Sequence, residues 1–118
     1  MVVDLLTRER LSEPEADRVF RALADATRRD ILARAIEREQ SVSALARRYE
    51  MSLTAVQKHV AVLERAGLVV KRRHGREQRV RGVPGVLRDV HGLLDQLESL
   101  WRARIDRIDR ILDEGASP

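Results

Sequence analysis

Residues 43–82 read SALARRYEMSLTAVQKHVAVLERAGLVVKRRHGREQRVRG, and this stretch decides the fold. Its first half contains two short amphipathic segments, each preceded by a serine that can cap a helix. We expect Ser43 to cap the first helix and Ser52 to cap the second, which should run from Leu53 to about Ala66, where Gly67 ends it. Two short helices joined by so few residues are typical of a helix-turn-helix, although any helical hairpin has a similar pattern.

The second of these helices has two different sides. Val56, Val60 and Leu63 recur at i, i+4, i+7 spacing and are expected to face the core. The outer side carries small residues, an amide, a cation and one large apolar side chain, namely Leu53, Thr54, Gln57, Lys58 and Ala61. Such a face fits the major groove of DNA, where an amide can read adenine and a lysine can reach guanine or a phosphate. An ordinary exposed helix surface is the alternative.

The second half of the stretch predicts a β-hairpin. It begins with Leu68-Val69-Val70, has His74-Gly75 at its centre and continues into a second strand-like run. Six of the eleven residues from Lys71 to Arg81 are cationic. A two-stranded ribbon with arginines around its tip can hold the DNA backbone or minor groove, and basic residues can also protect an exposed sheet edge from aggregation. Directly after a helix-turn-helix, the hairpin is interpreted as a wing.

Two further helices are predicted upstream, over 12–24 and 25–37. Ser12-Glu13-Pro14-Glu15 has the pattern of a capping box, and Asp25 is the expected N-cap of the second helix. Arg28 and Arg29 lie near the positive end of that helix, where we expect Asp25 and Asp30 to compensate them. Residues 37–41 are expected to form a polar connector. The apolar residues at helical spacing are Ala16, Val19, Phe20, Leu23, Ile31, Leu32, Ala35 and Ile36.

Downstream of the hairpin, apolar residues recur every three to four positions and predict a helix over 84–114. The 27 residues from Val86 to Leu112 would extend about 40 Å as one helix, more than the roughly 30 Å diameter of a globule of this size. Part of this apolar stripe therefore needs another chain. A break near Gly92 that folds the helix back is the alternative. The expected dimer-interface residues are Leu93, Leu97, Leu100, Trp101, Ile105 and Ile108.

Composition narrows the class of protein. The chain has 118 residues, enough for one domain, and contains no cysteine, which excludes disulfides and thiolate metal sites. Its apolar runs are too short to span a bilayer, and Met1–Leu6 carries an acid where a signal peptide would carry base, so we expect a cytoplasmic protein. Residues 41–82 hold ten Lys and Arg against three Glu, which predicts that one face meets a polyanion.

Three segments resemble regulators of the ArsR/SmtB family. Residues 20–32, FRALADATRRDIL, resemble the helix that opens the core of that family, and residues 43–46 and 51–69 resemble its helix-turn-helix. The resemblance implies a mainly α winged helix-turn-helix with a small β-hairpin, in which N- and C-terminal helices form a two-fold dimer interface. It implies a single domain over 1–118, with the helix-turn-helix at 43–66 and the wing at 68–82. The implied function is a dimeric transcriptional regulator, a repressor that binds an inverted-repeat, double-stranded operator.

The same resemblance implies the DNA-binding residues. Contacts to bases and phosphates would come from the second helix of the motif, with His59 beside the DNA backbone, and the wing would supply arginines. His59 has an equally good interpretation as a half-buried structural residue next to Val56 and Val60. The implied set is Ser52, Thr54, Gln57, Lys58, His59, Arg72, Arg73, Arg76 and Arg79.

The sequence departs from the family pattern in its turn, its wing and its metal sites. Glu50 replaces the usual glycine between the two helices, so we expect strain if its φ is positive. Gly82 replaces a large apolar residue, so the second wing strand is expected to end early. Asp89 and His91 match half of the family's C-terminal metal site, but Arg102 and Ile105 occupy the other half and cannot ligate. We therefore expect no metal and no other cofactor.

Two other functions fit parts of the sequence. A winged-helix module could bind mainly a protein, with the basic wing incidental. An enzyme would need convergent acid, base or nucleophilic groups, and the three histidines lie on separate predicted elements, so we do not expect one.

Overall fold

The computed structural model describes residues 11–116 of the chain. The prediction drawn from Met1–Leu6 and the two ends of the predicted domain lie outside this range. The described part is a mainly helical winged helix-turn-helix, as the sequence predicts, and its antiparallel sheet has three strands. Its elements are α1 (Glu13–Leu23), α2 (Ala26–Glu37), β1 (Gln40–Ser41), α3 (Val42–Tyr49), α4 (Leu53–Arg65), β2 (Val69–His74), β3 (Glu77–Gly82) and α5 (Gly85–Ala116).

Side-chain caps fix the starts of the first four helices. In each case an oxygen of the cap accepts the backbone N–H three residues on, at 3.0–3.2 Å; the caps are Ser12, Asp25, Ser41 and Ser52. The prediction that Ser43 caps α3 is wrong, because Ser43 lies within α3 and Ser41 is its N-cap. Ser41 is held extended by its pairing with Arg79 of β3, so the helix can begin directly after it.

The turn between α3 and α4 places a non-glycine residue in the left-handed region, as the departure at Glu50 led us to expect. Glu50 has φ 54° and ψ 40°. The next amide, that of Met51, donates to the carbonyl of Ala46 at 3.0 Å and so closes the end of α3. For an L-residue this conformation costs roughly 1–2 kcal/mol, and the hydrogen bonds of the helix end offset part of it.

The sheet has the order β1-β3-β2, and its first strand was missed by sequence reasoning. Residues 37–41 were expected to be a connector, but Gln40 pairs with Val80 and Ser41 with Arg79. A strand of two residues is too short to show an alternation of apolar and polar side chains, so it can be recognised only from its pairing with β3.

Gly82 extends the second wing strand and does not end it early, which corrects our expectation. It pairs with Val69 at the base of the hairpin. A Cβ at Gly82 would lie 2.6 Å from Cγ1 of Ile36 and 3.0 Å from its backbone nitrogen. The absent side chain therefore lets β3 approach the last turn of α2.

The core lies between the first four helices and the sheet. Val56, Val60 and Leu63 are fully buried, as their spacing predicts. Two of the apolar residues that recur at helical spacing are exposed: Phe20 is 41% accessible and Ile36 is 52% accessible. The buried face of α1 runs through Ala16, Val19 and Ala22, which leaves Phe20 on its flank. Ile36 lies beside Gly82, which has no side chain to cover it.

Helix α5 is continuous through Gly92, so the alternative of a helix that folds back is wrong. Its 32 residues extend about 48 Å. Only its first turns pack on the core, through buried Val90 and half-buried Val86 and Leu87. The radius of gyration is 20.0 Å, against about 13.5 Å for a compact chain of this length. Most of α5 therefore projects from the domain. None of the helices between residues 11 and 116 has the length and apolar composition needed to cross a membrane.

Gly82→Ala should lower the free energy of unfolding by about 1–3 kcal/mol, because the new methyl group would overlap Ile36. Gly85→Ala is the matched control, since a Cβ there meets nothing within 4 Å; it should change stability by at most about 1 kcal/mol. Urea denaturation followed by circular dichroism measures both. Equal effects of the two variants would show that the approach of β3 to α2 does not constrain the fold.

Candidate nucleic-acid interface

Four of the five side chains that the sequence predicts on the outer side of α4 are exposed, namely Leu53, Thr54, Gln57 and Lys58. Ser52, the cap that precedes the helix, is exposed as well. Thr54, Gln57 and Lys58 follow one another closely enough to form one continuous ridge along the helix. We call these three residues the outer ridge. Ala61, which was also expected there, is half-buried.

His59 lies beside the ridge but is half-buried. Its Nδ1 is 3.5 Å from Nη1 of Arg28 on α2. This contact agrees with the structural interpretation of His59; its position beside DNA stays a prediction.

Arg28 connects three helices behind the outer ridge. Its Nε donates to the carbonyl of Ala22 at 2.9 Å, and its Nη2 donates to the carbonyl of Arg21 at 2.8 Å. Both acceptors lie at the C-terminal end of α1, which carries the negative end of the helix dipole. With its contact to His59, the Arg28 guanidinium therefore joins α1 and α2 to α4.

We expected Asp25 and Asp30 to compensate the charges of Arg28 and Arg29, and this prediction is correct only in part. Asp25 accepts a hydrogen bond from the backbone N–H of Arg28, and this bond, with the charge of Arg28, lowers the pKa of the Asp25 carboxyl. Arg29 instead donates to the carbonyl of Leu23 at 2.6 Å. Asp30 pairs with Arg34 one turn along the same helix, because residues at i and i+4 face each other. An arginine shortly after a helix end is a signal that could have indicated the role of Arg28.

A second cluster ties α3 to α2. The hydroxyl of Tyr49 donates to Asp30, which also accepts from Nε of Arg34 at 2.9 Å. These two bonds hold the pKa of Asp30 below its usual value, whereas burial and the bond to Asp30 raise the pKa of Tyr49. The first helix of the motif is thus fastened to the core helix by a polar contact as well as by its apolar residues.

The wing separates its four predicted arginines by face. Arg72 pairs with Arg79 across the hairpin, and Arg73 pairs with Gln78, so strand alternation places Arg73 on the opposite face from Arg72 and Arg79. Arg76 lies at the tip, next to Gly75. Arg73 and Arg76 are exposed, and the ion pairs found between residues 11 and 116 include neither of them.

Carboxylates neutralise the other two arginines. Glu39 lies 3.4 Å from Nη2 of Arg72 and 3.9 Å from Nη1 of Arg79. Glu77 lies 3.2 Å from Nε of Arg79, and hydrogen bonds from Ser41 and Arg79 lower the pKa of Glu77. Sequence reasoning missed Glu39 because its partners lie more than thirty residues away in sequence.

The base of the wing is also held to α4. Nζ of Lys71 lies 3.4 Å from Oε1 of Glu64 near the C-terminal end of that helix. This contact joins the base of the wing to the helix that carries the outer ridge.

The apolar side of α5 is uncovered beyond its first turns. Of the predicted interface residues, Leu93 is half-buried and the others are exposed, with Trp101 at 59%. The guanidinium of Arg104 lies 5.9 Å from the centre of the Trp101 ring, within the range of a cation–π contact. Three further exposed apolar residues extend the stripe, namely Leu94, Ile111 and Leu112.

The half metal site on α5 gains no ligands from the fold. Arg102 pairs with Glu98 one turn earlier, at 2.6 Å, and Ile105 belongs to the apolar side. Across the described part of the chain, His, Asp and Glu form no group of three or more that could hold a metal ion.

Comparisons with known proteins agree with this geometry. Residues 23–72 match a family model described as a helix-turn-helix domain. The HTH-type transcriptional regulator YuzN of Bacillus subtilis is 42% identical over 67 residues, which cover 51% of this chain and 73% of that protein. An ArsR-like transcriptional regulator from Rhodococcus sp. RHA1 is 35% identical, with a TM-score of 0.77 and coverage of 86% of this chain and 93% of that chain.

A third similar protein, Mb0332 from Mycobacterium bovis, is a homodimeric winged helix-turn-helix DNA-binding domain and a possible ArsR-family regulator. It is 32% identical, with a TM-score of 0.59, and covers 73% of this chain and 79% of that chain. Fold and relatives together define a transcriptional regulator with a winged helix-turn-helix DNA-binding domain. The chain belongs to the ArsR family, as the resemblance of its sequence predicts.

Arg28→Ala should lower the free energy of unfolding by roughly 1.5–3 kcal/mol, because the carbonyls of Arg21 and Ala22 lose a charged donor. Arg29→Ala removes one exposed bond from the same helix end and should cost no more than about 1 kcal/mol. Urea denaturation of the two variants gives the comparison. A smaller loss for Arg28→Ala than for Arg29→Ala would contradict the connecting role of Arg28.

Proposed function

We propose that this regulator is a homodimeric, cytoplasmic repressor whose α4 reads an inverted-repeat operator in the major groove. The observation that carries the proposal is the outer ridge of Thr54, Gln57 and Lys58, exposed beside a wing whose Arg73 and Arg76 have no ion-pair partner among residues 11–116. The ridge and the wing are held in one unit, so they can contact the same DNA segment.

The two parts of this surface have different chemistry. The Gln57 amide can donate and accept at adenine, and the Thr54 methyl can contact thymine, so the ridge can distinguish bases. Arg73 and Arg76 are exposed guanidinium groups on the wing, and they suit phosphates, which every sequence presents. The four wing arginines are not equivalent in this proposal, because Arg72 and Arg79 already face carboxylates.

The uncovered side of α5 supports the proposed dimer. Leu97, Leu100, Trp101, Ile105 and Ile108 are exposed in the single chain. At about 25 cal/mol per Å² of buried apolar area, covering these side chains with a second copy supplies several kcal/mol. A two-fold axis would place the two α4 helices at successive major-groove faces, with half-sites about 10 base pairs, or a multiple of that, apart.

The remaining parts of the proposal concern regulation. Such a dimer can act simply by occupying a promoter, so we propose that it represses transcription. The regulatory signal in this proposal is not a metal held at the family's sites. The chain has no cysteines, and Arg102 and Ile105 stand where the C-terminal site needs ligands. His59, His74 and His91 lie on α4, β2 and α5, too scattered to support an enzyme.

Gln57→Ala should weaken binding to the operator by ~1–3 kcal/mol and leave random DNA almost unaffected, because it removes a base contact. Arg76→Ala should weaken both alike and reduce the salt slope by about one unit for each phosphate that the wing no longer binds. Arg110→Ala, an equal change of charge on α5, is the control. Mobility shifts over a salt series can compare a duplex selected from a random pool with a scrambled one.

Two outcomes of that experiment would count against the proposal. If Gln57→Ala lowered affinity for both duplexes equally, α4 would not read sequence. If neither Gln57→Ala nor Arg76→Ala changed DNA affinity, a protein partner would become the better interpretation of the surface.

Leu97→Asp should convert the dimer to a monomer, since it places a charge in the centre of the apolar side of α5. Ser99→Asp adds the same charge roughly 200° around the helix, on the opposite side, and should remain dimeric. Light scattering at micromolar concentration measures both. A monomeric wild-type protein would refute the proposed dimer.

A further inference from the structure

We infer that Glu39 limits the affinity of the wing for DNA phosphates by occupying Arg72. This inference rests on the proposed function, because it concerns how strongly the wing binds DNA of any sequence. Glu39 itself lies outside the helix-turn-helix and the wing, in the link between α2 and β1.

The sheet brings Glu39 to the arginines. Ser41 pairs with Arg79, which in turn pairs with Arg72, so these three residues share one face of the sheet. Glu39 precedes Ser41 by two residues and reaches the same face. Its side chain is only 24% exposed, whereas that of Arg72 is 70% exposed.

The two arginines held by Glu39 are not equally dependent on it. Arg79 has a second and closer carboxylate, Glu77 at 3.2 Å. Among the described residues, the ion pair of Arg72 is with Glu39 alone, and its hydrogen bond to Oε1 is long at 3.4 Å. Loss of the Glu39 charge would therefore free Arg72 and leave Arg79 paired.

A free Arg72 can bind a phosphate, while the paired one must first leave a carboxylate that also repels the phosphate. Sequence-independent DNA binding depends on the number of phosphates neutralised, with about 0.9 unit of salt slope for each. Glu39 thus keeps the wing from binding one more phosphate in each protomer. Because every duplex presents phosphates, Glu39 lowers the affinity for the operator and for random DNA alike.

The test is Glu39→Gln, which keeps the shape of the side chain and removes its charge. On a random duplex in 0.15 M salt, we expect binding about 5-fold tighter for one additional phosphate and up to roughly 30-fold tighter for two in a dimer. The salt slope should steepen by about one to two units. Glu37→Gln is the matched control: the same change two residues away, at an exposed residue with no ion pair within residues 11–116. It should change affinity less than twofold.

Arg72→Ala provides the second arm. If Glu39 acts through Arg72, Glu39→Gln should have less than a twofold effect in the Arg72→Ala background. Equal or weaker binding by Glu39→Gln than by Glu37→Gln would overturn the inference, as would an undiminished effect without Arg72. If the wild-type protein bound neither the selected nor the scrambled duplex, the proposed function would fail as well. If the wild-type protein bound DNA and Arg76→Ala weakened that binding, a negative result for Glu39→Gln would count only against the inference on Glu39.

Discussion

The complete burial of Val56, Val60 and Leu63 orients α4 and thereby determines what the helix presents to solvent. Rotation of the helix by even a quarter turn would expose some of these side chains, at about 25 cal/mol for each Å² uncovered. The rotational setting of Thr54, Gln57 and Lys58 is therefore fixed by apolar packing on the other side of the same helix. The polar contacts of Arg28 with His59 and of Lys71 with Glu64 then hold α4 to its neighbours in the fold.

Charge on the wing is distributed by the geometry of the strands and not only by the number of arginines. Alternation places Arg73 opposite the face that carries Arg72 and Arg79, and the turn places Arg76 at the tip. The face with Arg72 and Arg79 also receives Glu39 and Glu77. A basic sequence run of this kind therefore overstates the positive charge that is free to meet a polyanion.

Local patterns predicted most of the fold, whereas contacts between distant segments were not predictable from them. The spacing of Val56, Val60 and Leu63, and the caps Ser12, Asp25 and Ser52, depend on neighbours within one helix and were predicted correctly. The strand at Gln40–Ser41, the cap at Ser41 and the extension of β3 through Gly82 all depend on a partner elsewhere in the chain. The same holds for part of the candidate site: its outer ridge followed from periodicity, but the contacts of Glu39 with Arg72 and of Arg28 with His59 join residues more than thirty positions apart.

The junction between α4 and α5 links the proposed reading and dimerisation surfaces. Gly67 ends α4 with a φ of 76°. A Cβ built on Gly67 would lie only 3.0 Å from Cγ2 of Val86, so the first turn of α5 packs closely on this glycine. Beyond Val90 the helix leaves the domain. A tilt of about 10° at the root would move the end of a helix about 40 Å further on by roughly 7 Å. In a two-fold dimer such a tilt would change the separation of the two α4 helices. In the proposed dimer, the close packing of Val86 at Gly67 would therefore influence operator spacing as well as stability.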